Sequence, residues 1–233
     1  MLKQTNLQEI QNVAIAMLYL DIIQHEKYPF IVYHPFFNSP LTPVMVGNKV
    51  EFVDITVEEN LKLAQDSFAN KIKEITSYHS FLTAMNKIYL PEFFKRIYKY
   101  LSPKDYSEFL SEMWCIVEFP NNCPDIKPSE FVSFFKKANP EFLMEQDEFK
   151  KFQELPDEVT IYRGIQNKST IKALSWTTNK GVAKWFANRF EQKGTIYQAN
   201  IKREDILAYF DRRNEKEVVI DFSKIYNIKS IQK

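Results

Sequence analysis

A chain of 233 residues with 45% hydrophobic and 15% aromatic side chains and a net charge of +1 can bury a substantial core, which excludes a disordered polypeptide. Its four glycines, Gly47, Gly164, Gly181 and Gly194, fall far below the usual share of about 7%; they write neither G-x-G-x-x-G nor a P-loop, so glycine-rich phosphate cradles are excluded. Three histidines (His25, His34, His79) and two cysteines (Cys115, Cys123) argue against a buried zinc or iron–sulfur site, and no metal is expected.

The first residues, MLKQTNLQEIQNV, lack the apolar stretch of a signal peptide, and no run of about 18 apolar residues occurs, so a soluble cytoplasmic protein with free thiols is expected. Leu7, Ile10, Val13, Ala14, Met17, Leu18 and Ile22 recur at three and four, predicting an amphipathic helix over 6–25. Between Tyr28 and Val57 four prolines and β-branched stretches break that period, predicting a short hairpin or an ordered loop. Helical periodicity returns over 57–75, 79–101, 107–117, 130–137 and 142–155, punctuated by Ser102-Pro103, Lys127-Pro128-Ser129 and Asn139-Pro140. The pairs Phe36-Phe37, Phe93-Phe94 and Phe134-Phe135 are expected to pack this part.

Near Leu155-Pro156-Asp157 composition and period change together. Residues 1–158 carry 16 Lys+Arg against 23 Asp+Glu, whereas 159–233 carry 15 against 7, a swing from −7 to +8. We therefore expect a helical domain over 1–157 and a smaller β-rich domain over 158–233. In the second, strands are predicted at 159–163, 173–178, 195–201, 217–222 and 225–231. One helix over 181–190 is predicted, capped by Thr178, with Val182, Trp185, Phe186 and Phe190 turned inward.

Three short pieces of the basic third carry chemistry: Ile161-Tyr162-Arg163-Gly164, Leu174-Ser175-Trp176-Thr177-Thr178, and Asn214-Glu215-Lys216-Glu217 leading into Val218-Val219-Ile220. Period two sets Ser175 with Thr177, and Glu215 with Glu217, on common strand faces. An arginine at a strand end can grip phosphate oxygens as a fork, and the following Gly164 lets a ligand approach the main chain. A carboxylate is the group that stabilises an oxocarbenium-like centre.

An arginine ending a first strand, S-x-T before a helix and E-x-E entering a late strand resemble, in that order, the arginine/serine/glutamate class of mono-ADP-ribosyltransferases. The resemblance covers about residues 158–233. It implies two short β-sheets packed across each other with NAD in the cleft between them, so that the whole chain is expected to be α+β, with a helical N-terminal half packed on this core. NAD would be the co-substrate, no metal being needed, and ADP-ribose would pass to a macromolecular acceptor with release of nicotinamide. Arg163 would hold the cofactor phosphates and the Gly164 main chain the nicotinamide amide. Ser175 would brace Glu217 and the nicotinamide ribose, with Thr177 beside it. Glu217 would be the catalytic carboxylate, and Glu215 would orient or deprotonate the nucleophile from the turn Asp211-Arg212-Arg213-Asn214.

Glutamate at the first E-x-E position resembles transferases acting on protein arginine, while the +8 of residues 159–233 also suits a nucleic-acid acceptor. Tyr209 and Phe210, just before the turn, are expected to contact acceptor or nicotinamide. Transferases of this size resemble bacterial or phage effectors and toxins, some held by an antitoxin, with the helical half as a recognition or inhibitory module. A non-catalytic interaction module on a decayed transferase core is the alternative.

Overall fold

A computed structural model describes residues 3–118, 123–166, 170–189 and 193–232. Helix takes 46% of the chain and strand 23%, a mixed α+β protein. It divides into two compact units: residues 1–102 with 112–120, and residues 103–111 with 121–233.

In the first unit, α1 (Leu7–Leu18) starts where Asn6 Oδ1 accepts from Glu9 N–H at 3.2 Å. It stops well short of residue 25, because β1 (Ile23–Gln24) pairs with β2 (Val32–Tyr33). The Leu18 carbonyl at its end accepts from Gln65 Nε2 at 3.1 Å and lies 3.1 Å from His34 Nε2. His34 Nδ1 accepts from Phe36 N–H at 3.1 Å, which leaves the proton on Nε2 and makes the ring neutral.

The His34 ring is fully buried, stacked 4.6 Å from Phe37, and burial pushes its pKa down to about 4. Between its ordinary value of 6.5 and 4 the unfolded chain binds the extra proton, so stability is present above pH 6.5 and is lost as pH falls through that window. Urea unfolding of wild type between pH 7 and 4 should therefore lose stability more steeply than His34→Gln, by up to about 1.4 kcal/mol per pH unit. Parallel pH profiles would refute the assignment.

The proline-rich stretch does contain a hairpin, β3 (Leu41–Val46) with β4 (Lys49–Asp54), turned at Gly47 with φ +62°. Val44 faces inward while Leu41, Val50 and Phe52 face out. Then α2 (Glu58–Glu74) matches the helix expected over 57–75. The helix expected over 79–101 is broken into α3 (Phe81–Ala84) and α4 (Leu90–Ile97), linked by 3₁₀ turns. Asn86 is the reason: its main chain is extended, and its side-chain amide donates to the carbonyls of His34 (2.6 Å) and Phe37 (2.9 Å) rather than facing solvent from a helix.

The helix α5 (Pro103–Ile116) contributes residues to both units. Beyond it, α6 (Pro128–Lys137), α7 (Pro140–Leu143) and α8 (Gln146–Gln153) belong to the second unit together with every strand of the basic third. The compact unit therefore does not begin at residue 158, where composition changes. The cause is packing: Phe135 lies 6.5 Å from Phe210, Met144 Sδ accepts from Tyr209 N–H, and Glu148 accepts from Asp211 N–H. Arg203–Asp157 and Arg212–Glu145 ion pairs join the basic stretch to the acidic one, and Lys151–Asp211 and Lys136–Asp221 join them in the opposite sense, all within one unit.

The strands are β5 (Glu158–Ile165), β6 (Ser175–Thr177), β7 (Thr195–Lys202), β8 (Ile206–Phe210), β9 (Glu217–Ile220) and β10 (Tyr226–Gln232), with α9 (Lys180–Ala187) between β6 and β7. They form one hydrogen-bonded sheet in the order β10-β7-β5-β6-β9-β8, where two separate sheets were expected. The joint is narrow: β5 and β6 share the register pair Tyr162↔Thr177 alone among the described residues, dividing the sheet into two three-stranded leaves. The strand β8 was not anticipated; Ile206-Leu-Ala-Tyr-Phe pairs with β9 through a bulge after Ile206.

Among the described residues no helix is long and apolar enough to cross a membrane. Cys115 and Cys123 form no disulfide.

Candidate functional site

The three motifs meet at the joint of the sheet. Directly opposite residues of an antiparallel pair share a face, so Tyr162↔Thr177 and Thr177↔Glu217 put Tyr162, Thr177, Glu217 and, two along β6, Ser175 on one face. Arg163 alternates to the other face by its strand position, yet its guanidinium crosses back to the joint. Nη1 donates to the Ser175 carbonyl at 2.5 Å and Nε to the Thr170 carbonyl at 3.4 Å, so Arg163 satisfies a carbonyl at the point where β5 and β6 part. Burial lowers its pKa to about 10, and the Glu217 carboxylate opposes that shift. Arginine, serine and glutamate thus converge, through Arg163 as the connecting side chain.

Glu217 is 5% exposed and opens β9, directly across from Thr177 on one side and Phe210 on the other. Ser175 is its diagonal neighbour, opposite Val219, so Thr177 occupies the position expected for Ser175 beside the carboxylate. Thr177 is committed to structure: its hydroxyl donates to the Glu215 carbonyl at 2.7 Å and accepts from Asn179 N–H at 2.9 Å. It holds the E-x-E turn instead of presenting a hydroxyl to a cofactor. Asn179, rather than Thr178, caps α9, accepting from Gly181 and Val182 N–H.

Glu215 and Glu217 do face a common partner, but not through strand alternation. Lys216 between them has φ +46° and Asn214 has φ +56°, left-handed conformations that cost a lysine about 1–2 kcal/mol. Lys216 N–H donates to Asp211 Oδ1 and its carbonyl accepts from Thr178 N–H, which fix the kink. The result brings Arg213 Nη2 to 3.0 Å from Glu215 and 4.0 Å from Glu217. A Glu-Lys-Glu after Arg-Arg-Asn contains these residue types, but the positive φ values that fold them together leave no sequence pattern.

The turn is gripped from the helical side. Arg212 donates to Ser111 Oγ (2.7 Å), pairs with Glu145 (2.9 Å) and reaches the buried Glu148 (3.4 Å); Lys151 pairs with Asp211 (2.7 Å). The Asp211 carboxyl lies below its ordinary pKa: burial raises it, and Lys151 and the Lys216 N–H outweigh that. Arg212→Met, which keeps the stem and removes the donors, should cost about 1–3 kcal/mol in urea unfolding. A change below about 0.5 kcal/mol would show that the grip is not stabilising.

Two expectations are corrected. Tyr209 and Phe210 are 4% and 2% exposed, inside the unit against Met144, Phe135 and Arg212, and offer no ring to a ligand. The phase of α9 is rotated: Ala183 and Ala187 are buried, Phe186 is half-buried and Trp185 is 58% exposed, while Phe190 lies outside the described residues. The small alanines let α9 press onto β5, where a Cβ on Gly164 would sit 1.8 Å from the Ala183 carbonyl oxygen and 2.6 Å from Ala187 N. The missing Gly164 side chain makes room for helix main chain, not for a ligand.

No family model, curated protein or solved structure matches this chain. What the site can do must follow from its own chemistry: a buried carboxylate, two guanidinium groups, a half-buried serine and a kinked acidic turn. Among the described residues no cluster of three or more His, Cys, Asp or Glu is arranged to hold a metal.

Proposed function

We propose that the protein is an NAD-dependent mono-ADP-ribosyltransferase with Glu217 as its catalytic carboxylate. One observation carries the reading: the half-buried Arg163 guanidinium bonds the Ser175 carbonyl within the field of Glu217, with the three motifs at one sheet joint. The division of the sheet into two leaves at that joint also supports it.

In this reading the donors that Arg163 does not spend on the Ser175 and Thr170 carbonyls face the NAD pyrophosphate, and Ser175 hydrogen-bonds the nicotinamide ribose. The bond between ribose C1′ and the nicotinamide nitrogen breaks, its electron pair leaving with nicotinamide. Glu217 stabilises the positive charge that develops at the ribose. The acceptor nucleophile then bonds C1′ and gives its proton to Glu215, the more solvent-accessible carboxylate of the turn. Arg213, 3.0 Å from Glu215 and 4.0 Å from Glu217, moves aside to leave both carboxylates to the reacting ribose and the nucleophile. Water in place of the acceptor gives NAD hydrolysis.

The reading is tested by incubating the protein with NAD labelled in its adenylate half, with and without bacterial lysate. Nicotinamide release and a labelled macromolecule support it; protease or nuclease sensitivity of the product then names the acceptor class. No nicotinamide release under any condition returns the chain to the alternative of a binding module on a transferase-like sheet.

A further inference from the structure

We propose that the outer face of α9 binds single-stranded nucleic acid, with a base stacked on Trp185 and phosphates on Lys184 and Arg189. This binding needs no NAD and does not rest on the transferase reading. Ala183 and Ala187 turn one side of α9 onto β5, so the opposite side is left to Gly181, Lys184, Trp185, Asn188 and Arg189, which line an open groove of about 590 Å³. Trp185 is 58% exposed, whereas the other two tryptophans, Trp114 and Trp176, are buried. Its indole is held in place: Phe186 packs edge-on at 4.9 Å and the Arg189 guanidinium lies 4.8 Å from the ring centre.

Those observations select the ligand. A fixed, exposed indole is a stacking platform that accepts any base, and a guanidinium beside it adds cation–π attraction and a phosphate contact. Residues 179–189 carry Lys180, Lys184 and Arg189 and no carboxylate, a charge of +3 on three turns of chain. The ligand is therefore anionic and aromatic at once. An open groove running along a helix suits a continuous strand whose phosphates follow successive basic side chains. Gly181, one turn before Trp185, presents no side chain at the place where a neighbouring base would lie.

The test uses the full chain with fluorescein-labelled dT12 and rU12, without NAD, in anisotropy titrations at 50 and 150 mM salt. Intrinsic fluorescence gives a second readout, since quenching by an unlabelled strand must come from the single exposed tryptophan. We expect saturable binding of at least one strand with quenching, weakened about tenfold in Trp185→Ala and largely kept in Trp185→Phe. Lys184→Glu should weaken binding and flatten the salt dependence by close to one phosphate contact. Both positions lie on the exposed side of α9, and circular dichroism confirms that the variants are folded. Absence of binding at 50 mM salt overturns the proposal, as does binding unaffected by Trp185→Ala. Quenching of Trp185 by millimolar NAD with displacement of the oligonucleotide would assign the groove to a free dinucleotide and would also overturn it.

Discussion

Glu217→Gln should reduce nicotinamide release from NAD by about 10³-fold while NAD binding stays within a few-fold of wild type. The substitution keeps shape and removes only charge, and removing one preorganised electrostatic stabiliser of a developing charge typically costs 10²–10³ in rate. The two effects separate because the ribose acquires positive charge in the transition state and not in bound NAD. The variant must also be shown to fold, since Glu217 is 5% exposed and Arg163 titrates in its field. Thermal unfolding provides that check. Glu215→Ala is the discriminating partner: hydrolysis of NAD should persist while transfer to acceptor is lost. Equal loss of both in Glu215→Ala would show that Glu215 serves bond breaking as well. Wild-type rates in Glu217→Gln would remove Glu217 from the chemistry altogether.

The second large effect is on stability. Gly164→Ala should lower the free energy of unfolding by at least about 3 kcal/mol, a drop of roughly 6–12 °C in the thermal midpoint of a domain this size. The added methyl would sit 1.8 Å from a carbonyl oxygen and 2.6 Å from an amide nitrogen, both main-chain atoms of α9 that no rotamer change can move. Gly47→Ala provides the contrast. Nothing lies within 4 Å of that position, and the only cost is φ +62° at the hairpin turn, about 1 kcal/mol. If the two variants were equally stable, α9 would not be seated on β5 as described.

What could be read in advance was what depends on local alternation. The helix over 57–75 and the strand through Arg163 carry an uninterrupted period, and Glu217–Ile220 is a short β-branched run buried at every position. The strands that carry the three motifs were legible in the same way: Arg163 lies two residues before the end of β5, and Ser175 and Glu217 open β6 and β9. The misreadings share a different cause. For α9, hydrophobicity pointed to Trp185, but the close approach to Gly164 admits only residues the size of Ala183 and Ala187. For Tyr209 and Phe210, nearness in sequence to the acidic turn suggested a ligand contact, while the space they fill is made by Phe135 and Met144 more than sixty residues away. The Thr177 hydroxyl looked available until the Glu215 carbonyl, 38 residues on, claimed it. Long-range partners of this kind are set by tertiary packing and leave no local trace.

The division of the chain has a practical side for anyone who would transplant the basic third. The polypeptide passes from the first unit to the second at 102/103, returns at 111/112 and leaves again at 120/121. A piece starting at residue 158 would bare Phe210 and strand Arg212 without Ser111, Glu145 or Glu148. Gene fusion or recombination at the compositional boundary would thus yield an insoluble fragment. The shortest stretch that carries every residue of the second unit begins at Pro103 and unavoidably brings nine residues of the first with it.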